Sequence, residues 1–172
     1  MDLLTEHPVP DRALALKRDA REFAEEHIAP NAADYDESGE YPWEILEAGM
    51  DAGLVGQDIG EEYGGRGFDL HQVLAITEEF YRADAGIALT LQLASFGAEI
   101  VQDHGTAEQK EEFLRPVAGN EQITGLAVSE PETGSNLAGM TTSAEKDGDE
   151  WVLDGEKYWV GNAVEADWLT VY

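Results

Sequence analysis

The sequence predicts an α+β protein that is mainly helical, with a helical part over residues 1–119 and a β-rich part over residues 120–172. Two observations support this fold class. Up to Gly119, apolar residues recur at the spacing of amphipathic helices. From Asn120 onward, short runs with β-branched and aromatic residues are separated by turn signals. We therefore place a domain boundary near Gly119.

Five helices are expected in the first part, each with a residue near its start that favours helix initiation. They span residues 10–28, 42–52, 70–82, 85–104 and 107–115, with Asp11, Pro42, Asp69, Asp84 and Thr106 as the starting residues. Residues 34–41 are polar and are expected to form a connector. The glycine-rich stretch 60–67 lacks the spacing of a phosphate-binding loop, so we interpret it as a structural turn.

The second part is expected to contain five short strands, over residues 123–129, 140–146, 150–153, 157–160 and 168–172. The Asp147–Asp149 segment is a predicted hairpin turn between the second and third strands. A further turn is expected at Asp154 and Gly155. The strands over residues 157–160 and 168–172 are expected to lack their partners, so edges and apolar surface should be exposed and the chain should associate at moderate salt.

The charge balance is strongly acidic. There are 37 Asp and Glu residues against 10 Lys and Arg, for a formal net charge of −27 at pH 7. This charge argues against nucleic acid as a partner, because phosphates would be repelled. The acidic residues are spread along the chain, which favours a hydrated surface suited to high salt over a docking face for a basic partner.

Several kinds of site are not expected. The sequence contains no cysteine, which excludes disulfides, thiol nucleophiles and iron–sulfur ligation. The four histidines are scattered and form no metal-binding pair, so we assign no metal. The N-terminus has no basic and apolar leader, and no run is expected to cross a bilayer. We therefore expect a cytoplasmic protein without membrane insertion.

One stretch, residues 126–136 (LAVSEPETGSN), joins a strand to an abrupt turn. Val128 is a β-branched strand residue, whereas Pro131 lacks a backbone donor and fixes its own φ. Gly134 can take positive φ, and Ser135 favours a turn. The predicted loop has free N–H groups and two hydroxyls, which can hold an anionic or carbonyl-rich ligand. From these residues alone, an ordinary strand-to-loop corner is an equal alternative.

A second stretch, residues 157–162 (KYWVGN), places Trp159 in a predicted strand that suits a flat ring system. Ser-Glu-Pro-x-x-Gly-Ser in the first stretch, followed by Gly-x-Lys-x-Trp, resembles the flavin-binding signature pair of the acyl-CoA dehydrogenases. Similar segments occur at residues 40–43 (EYPW), 61–65 (EEYGG) and 105–110 (GTAEQK). The resemblance therefore covers nearly the whole chain.

The resemblance implies a helical N-terminal domain, a β-barrel-like middle domain and a C-terminal four-helix domain. The chain would carry the first and the beginning of the second. It also implies FAD as cofactor, an acyl-CoA substrate from fatty acid metabolism, an electron-transferring flavoprotein as acceptor, and a homo-oligomer in the complete protein. In the implied reaction, a hydride passes from the substrate's β-carbon to flavin N5 while a glutamate removes the α-proton. That glutamate belongs to the C-terminal domain, so no catalytic residue is assigned and the isolated chain would be incomplete.

Roles in cofactor binding are carried over by motif. The implied cofactor-binding residues are Leu126, Val128, Ser129, Gly134, Ser135, Trp159, Val160 and Gly161. The Ser129 hydroxyl and nearby N–H groups would stabilise negative charge on the reduced ring. Ser135 would also reach the bound thioester. Trp159 would cover one ring face, with a position in the core as its alternative.

Two residues depart from the family pattern. Gly161 stands where the family usually has Thr or Ser, so only a backbone amide could bind the flavin edge there. Asn136 replaces the usual Asp and can make the same local turn bonds.

Leu89, Leu93 and Phe96 fall on one helix face, for which we expect core packing, with an acyl-chain pocket as the alternative.

Two other functions stay open at this point. One is a flavin-dependent oxidase or monooxygenase with the same fold. The other is a non-catalytic remnant, or a subunit that needs a partner chain to supply the missing helices.

Overall fold

A computed structural model describes residues 10–56 and 58–172. Its helical part contains α1 (Asp11–Phe23), α2 (Ala32–Ser38), α3 (Trp43–Asp51), α4 (Leu70–Ala83), α5 (Ala85–Gln92), α6 (Ala98–His104) and α7 (Ala107–Ala118). Its β part contains β1 (Thr124–Ala127), β2 (Ser143–Asp147), β3 (Glu150–Asp154) and β4 (Trp168–Val171). This mainly helical α+β arrangement confirms the predicted fold class. The boundary near Gly119 stays a prediction, although α7 ends and β1 begins on either side of it.

The largest hydrophobic core lies among α1, α3, α4 and α5. A π-helical turn, Ala24–Ile28, extends α1, and the rings of Phe23 and Phe80 pack with centroids 5.4 Å apart. A second cluster forms around Leu114 of α7. Trp168 of β4 packs against this second cluster, so the helical and β parts share buried surface.

Charged residues also join α1 to α4. The Glu79 side chain is only 2% exposed and accepts hydrogen bonds from Arg21 at 2.8 and 2.9 Å and from Arg82 at 3.0 Å. The Lys17 ammonium lies 3.6 Å away. Burial alone would raise the pKa of Glu79, but its bonds to Arg21 and the surrounding positive charges outweigh burial and lower this pKa. Glu79 is therefore a buried carboxylate neutralised by several cations.

The predicted helix starts are confirmed at α4, α5 and α7. Asp69 and Thr106 each form a capping box with the residue three positions later, and the Asp84 carboxylate accepts from the Ile87 N–H at 2.8 Å. The end of α7 was predicted too early, since the helix continues through Pro116 to Ala118. Pro116 has no N–H to donate to the Glu112 carbonyl, so the last turn forms without that bond.

The expected polar connector over residues 34–41 is wrong, because α2 occupies most of it. Gly39 ends this helix in the left-handed conformation at φ +66°, and its N–H donates to the Tyr35 carbonyl at 2.9 Å. Ala32 and Tyr35 pack against the main core. Tertiary packing thus stabilises a helix that is too polar and too short to be recognised by its periodicity.

The single helix predicted over residues 85–104 is also wrong. The chain forms α5, a 3₁₀ turn (Leu93–Ser95) and α6, with Gly97 at φ +101° between them. The break is satisfied from the β part: the Thr124 hydroxyl donates to the Phe96 carbonyl at 2.6 Å and the Thr170 hydroxyl to the Gly97 carbonyl at 3.0 Å. A Cβ on Gly97 would lie only 3.1 Å from the Gly125 carbonyl oxygen. The break therefore allows β1 and β4 to approach the helical part.

By length and composition, the stretch Ala85–His104 could cross a membrane, contrary to the expectation that no run is long enough. The core helix of a water-soluble protein passes the same test. The break at residues 93–97 and the packing of Ile87 and Leu91 in the main core are typical of such a core segment.

The strands form two small sheets. β1 pairs in parallel with β4, and β2 pairs with β3 in an antiparallel hairpin whose turn contains Gly148 at φ +64°. The strand predicted over residues 157–160 is wrong, since this segment is irregular and contains Trp159 at φ +56°. Consequently Asp154 and Gly155 do not join two strands. Each two-stranded sheet has open edges. The expectation that strands over residues 157–160 and 168–172 lack partners is wrong, since the first segment is not a strand and β4 pairs with β1.

Candidate functional site

The first motif lies where β1 runs into a tight loop. Beyond Ala127 the chain turns at a two-residue bridge, in which Glu130 and Thr133 exchange backbone hydrogen bonds of 2.8 and 3.1 Å. Leu126, Val128 and Ser129 are half-buried at the approach to this turn. Gly134 and Ser135 are exposed at its tip, and the space beside Gly134 is open within 4 Å of where a Cβ would lie. A ligand can therefore approach the backbone closely at the tip.

The second motif lies beside the first. The Tyr158 N–H donates to the Ser129 carbonyl at 2.8 Å, so residues 157–162 run along the end of β1 and into its loop. Trp159 is 92% exposed, which excludes the interpretation of this residue as a core tryptophan. Its positive φ is unusual for a bulky side chain and costs on the order of 1–2 kcal/mol. Strained backbone that holds an exposed aromatic ring at the surface is typical of functional sites.

A buried ion pair holds the two motifs together. Lys157 Nζ donates to Glu130 Oε1 at 2.8 Å and to the Val128 carbonyl at 3.0 Å. Glu130 also accepts from the Thr141 N–H at 2.7 Å, the Thr141 hydroxyl at 2.8 Å and the Thr142 N–H at 2.9 Å. The ion pair therefore connects the end of β1, the loop after it, the start of β2 and the second motif. We call Glu130 and Lys157 the motif clamp.

The pKa of Glu130 lies well below its usual range. The bond to Lys157 is the main cause, and the N–H groups of Thr141 and Thr142 add to it. A carboxylate that holds its charge so firmly is a weak proton acceptor. The clamp is thus a positioning element, and Glu130 is not a candidate catalytic base despite its place in the motif.

Close backbone contact fixes the far end of the second motif. A Cβ on Gly125 of β1 would lie 2.7 Å from the Gly161 carbonyl oxygen, so the two backbones touch directly. Asn162, at φ +60°, extends its side-chain amide to the Thr90 carbonyl of α5 at 3.3 Å. Val160 and Gly161 are half-buried between β1 and the helical part. The second motif is therefore anchored at both ends, with Trp159 projecting between the anchors.

Two cavities lie near the second motif. The first, of about 330 Å³, lies between α4 and α5 and is lined mainly by apolar side chains, among them Val73, Phe80, Leu89, Leu93 and Phe96. The second, of about 510 Å³, lies between α5, residues 39–42 and residues 160–165. Leu89 and Phe96 are 48% and 42% exposed, so the expectation of plain core packing for this face is wrong. Leu89, Leu93 and Phe96 instead line a cavity.

The structure thus brings most of the predicted cofactor-binding residues together. Leu126, Val128 and Ser129 lie beside residues 157–161, whereas Gly134 and Ser135 lie at the exposed tip of the first loop. Their roles toward a cofactor stay predictions. Within residues 10–56 and 58–172, no group of three or more histidine, aspartate or glutamate side chains could hold a metal ion.

Sequence reasoning missed the motif clamp. It treated Glu130 and Lys157 as separate motif residues, although they are 27 positions apart in sequence and in contact in space. A signal was available in the sequence, since Glu130 belongs to the first motif and Lys157 to the second, in a chain that has few basic residues. It also missed Thr141, which supplies two of the six hydrogen bonds that the Glu130 and Lys157 side chains make.

Comparison with known proteins identifies the class of protein that this fold and site define. Residues 10–121 match the family model "Acyl-CoA dehydrogenase, N-terminal domain" and residues 125–172 match "Acyl-CoA dehydrogenase, middle domain". The chain therefore belongs to the acyl-CoA dehydrogenase family, of which it carries sequence from two domains.

Individual relatives agree with this assignment. "Probable acyl-CoA dehydrogenase fadE25" of Mycobacterium leprae is 36% identical over 163 residues, which are 95% of this chain and 42% of the relative. Butyryl-CoA dehydrogenase from Megasphaera elsdenii has a TM-score of 0.84 at 31% identity, covering 96% of this chain and 44% of that one. Glutaryl-CoA dehydrogenase from Mycobacterium smegmatis in complex with FADH2 has a TM-score of 0.87 at 29% identity, covering 95% and 42%. The chain spans about two fifths of the length of these relatives.

Proposed function

We propose that this chain is the N-terminal and middle portion of an FAD-dependent oxidoreductase that introduces a double bond between the α- and β-carbons of an acyl-CoA thioester. The observation that carries the proposal is the pairing of the two motifs. The bond from Tyr158 to Ser129 and the motif clamp hold an exposed Trp159 beside the end of β1. Family membership supports the reaction type, and the FADH2 complex of a similar structure supports the cofactor.

The residues present fit a flavin. An indole that is almost fully exposed and held by its backbone can cover one face of a flat ring and exclude water from it. Leu126 and Val128 supply apolar contact, and the Ser129 hydroxyl with neighbouring N–H groups can stabilise negative charge. Gly134 and Ser135 form an open turn at which backbone can approach a phosphate. When bound, FAD would accept two electrons as a hydride from the substrate.

The acyl chain would occupy the cavity between α4 and α5. Its volume of about 330 Å³ is within the range of small-molecule sites, and its lining is mainly apolar. Leu89, Leu93 and Phe96 present an apolar wall to it. In this proposal the three side chains form part of an acyl-chain pocket. Ser135 would contact the thioester end of the substrate.

We do not assign the base that removes the α-proton to any residue of this chain. Glu130 is committed to Lys157, and its lowered pKa makes it a weak base. The family resemblance assigns this step to a glutamate of a C-terminal domain. We therefore propose no catalytic residue among residues 1–172, and we propose that the chain positions the cofactor and the acyl group.

The proposal also covers the location of the protein, its assembly and its electron acceptor. We propose a cytoplasmic, homo-oligomeric enzyme that passes electrons to an electron-transferring flavoprotein. The net charge of −27 supports a hydrated surface adapted to high salt.

The experiment that tests the function compares two proteins in molar KCl. One is the 172-residue chain, and the other is the same chain extended by the C-terminal domain of a relative. We expect the extended protein to purify with bound FAD and to reduce an electron-accepting dye when an acyl-CoA is added. If it binds no FAD and reduces no dye with any acyl-CoA, the proposal is wrong. Oxygen consumption in place of dye reduction would identify a flavin oxidase or monooxygenase.

Exposed apolar surface favours one further candidate, a subunit that requires a partner chain. Trp151 and Leu153 of β3 are 65% and 61% exposed, and Val164 is 94% exposed. Exposed apolar groups of this size mark surfaces that bury against another chain or domain. Co-purification of the native protein with a separate helical chain that restores FAD binding would favour this candidate.

A further inference from the structure

The break between α5 and α6 joins the cavity between α4 and α5 to strand β1. The ring of Phe96 lines this cavity, and the Phe96 carbonyl accepts a hydrogen bond of 2.6 Å from the Thr124 hydroxyl. Thr124 is the first residue of β1, and Leu126, the first of the implied cofactor-binding residues, follows two positions later. One hydrogen bond therefore links the wall of the cavity to the strand that leads into the first motif.

Burial shows why residue 124 carries a hydroxyl. The Thr124 side chain belongs to a residue with 0% exposure. A buried hydroxyl is unfavourable unless it is hydrogen-bonded, and valine has nearly the same shape without this cost. The Phe96 ring is 42% exposed, so neighbouring side chains do not enclose it and its position depends on its backbone. The bond from Thr124 thus fixes a backbone that packing alone leaves unfixed.

Direct backbone contacts extend this junction to the second motif. A Cβ on Gly97 would lie 3.1 Å from the Gly125 carbonyl oxygen, and a Cβ on Gly125 would lie 2.7 Å from the Gly161 carbonyl oxygen. A Cβ on Gly161 would in turn collide with the Leu93 side chain. The break, β1 and the second motif are therefore in direct contact, and close-packed contacts of this kind transmit displacements.

We propose that Thr124 is a positioning residue, whose bond to Phe96 sets the distance between the acyl chain in the cavity and the flavin held by the two motifs. The proposal rests on the proposed function, since it takes FAD and an acyl-CoA as the two ligands. Thr124 is fully buried in the protein and would touch neither of them. Hydride transfer requires reacting atoms about 3–3.5 Å apart, and a displacement of about 1 Å can lower the rate by about 100-fold. Loss of the bond should therefore slow the reaction more than it weakens binding.

The first arm of the test measures the link without a ligand, by hydrogen exchange at the amides of residues 93–98 in the 172-residue chain in molar KCl. T124V removes the hydroxyl and keeps the shape of the side chain, whereas T124S keeps the hydroxyl. We expect exchange to be about fivefold faster in T124V, and within about twofold of the wild type in T124S. Equal exchange in T124V and the wild type would overturn the link. T124A removes the hydroxyl without placing a methyl group near the Phe96 carbonyl, and it takes the place of T124V if valine prevents folding.

The second arm measures the reaction in the chain extended by the C-terminal domain of a relative, with FAD bound and in molar KCl. The rate of flavin reduction is followed by absorbance while the concentration of an acyl-CoA is varied. We expect T124V to lower the limiting rate by about tenfold or more, and to change the half-saturating concentration by less than about threefold. T124S should restore the limiting rate to within about threefold of the wild type.

T170V is the matched control. The Thr170 hydroxyl donates to the Gly97 carbonyl at 3.0 Å, so T170V loosens the same break from β4, which contains none of the implied cofactor-binding residues. The Phe96 carbonyl keeps its bond to β1 in this variant. We expect T170V to speed exchange in residues 93–98 but to lower the limiting rate by less than about threefold. A loss as large as that in T124V would overturn the specific role of Thr124.

The two proposals fail in different ways. If T124V reduces its flavin at the wild-type rate, the role of Thr124 is wrong and the proposed function stands. A raised half-saturating concentration with an unchanged limiting rate would overturn this role too, because the bond would then serve binding alone. If no acyl-CoA reduces the flavin of the extended wild type, the proposed function fails, and the role of Thr124 fails with it.

Discussion

Replacing Lys157 by methionine tests whether the motif clamp holds the site together. Methionine keeps an unbranched side chain of similar reach but removes the charge and every donor. The side chain of Lys157 is only 10% exposed and that of Glu130 only 3%. The substitution K157M therefore leaves a buried carboxylate without its positive partner, and the carbonyl of the half-buried Val128 without this donor.

The magnitude follows from these contacts. Breaking a buried ion pair by removing one partner costs about 3–5 kcal/mol. Glu130 keeps the three donors from Thr141 and Thr142, which lessen the loss, so we expect the lower end of the range, about 3 kcal/mol. Domains of ordinary stability unfold with about 5–15 kcal/mol. K157M should thus remove a large part of the stability and leave a folded fraction that can be studied.

The assay is urea unfolding followed by circular dichroism, at low protein concentration in molar KCl. K146M is the matched control, since it makes the same change at an exposed lysine of β2 and should alter stability by less than about 0.5 kcal/mol. The double variant E130Q/K157M should be more stable than K157M, because no unpaired charge remains buried. If K157M loses no more stability than K146M, the clamp does not hold the two motifs and the argument is wrong.

Four further results are expected. Because the pKa of Glu130 is lowered in the folded protein, its stabilising effect is complete above the pKa of an unfolded carboxyl, about 4.3, and is lost as the pH falls toward the folded value. The difference in urea midpoint between wild type and E130Q should therefore shrink below about pH 4. A difference that stays constant with pH would contradict this. W159A should change the unfolding free energy by less than about 0.5 kcal/mol, since the ring is exposed, but should weaken FAD binding by about two- to tenfold, as measured by flavin fluorescence; W151A, at another exposed tryptophan, should leave FAD binding unchanged. Thermal stability should rise steeply with KCl between millimolar and molar concentrations, because salt screens the net charge of −27; a flat salt profile in calorimetry would argue against an acidic surface adapted to salt. The isolated chain should associate at moderate salt through its exposed apolar residues, and a monodisperse monomer in light scattering would refute this.

Local signals predicted much of the fold because they act over a few residues. Asp69, Asp84 and Thr106 cap their helices as expected, since an N-cap side chain bonds a backbone N–H only two or three positions away. The hairpin between β2 and β3 forms at Asp147 and Gly148, where the turn chemistry is equally local. At these positions the controlling contact lies within one turn of the chain, which is why the sequence was sufficient there.

The errors share a different cause. The 85–104 stretch has the composition of one apolar helix. Its break is stabilised by the hydroxyls of Thr124 and Thr170, which donate hydrogen bonds to the carbonyls that the break leaves free. The 157–160 segment has the composition of a strand, but its hydrogen bond goes to the Ser129 carbonyl in an irregular loop. In both cases a partner more than 25 positions away decides the local structure. Periodicity and propensity contain no information about such partners.

The candidate site divides in the same way. The two motif stretches, and the family that they resemble, were evident from residue types and spacing, because turns, prolines and a tryptophan in a fixed order are properties of the chain itself. Only the tertiary structure established that Glu130 pairs with Lys157, that Trp159 lies at the surface, and that Leu93 fills the space beside Gly161. These are relations between segments that meet only when the helical and β parts pack together. Their energies come from burial and close contact, which a linear sequence does not specify.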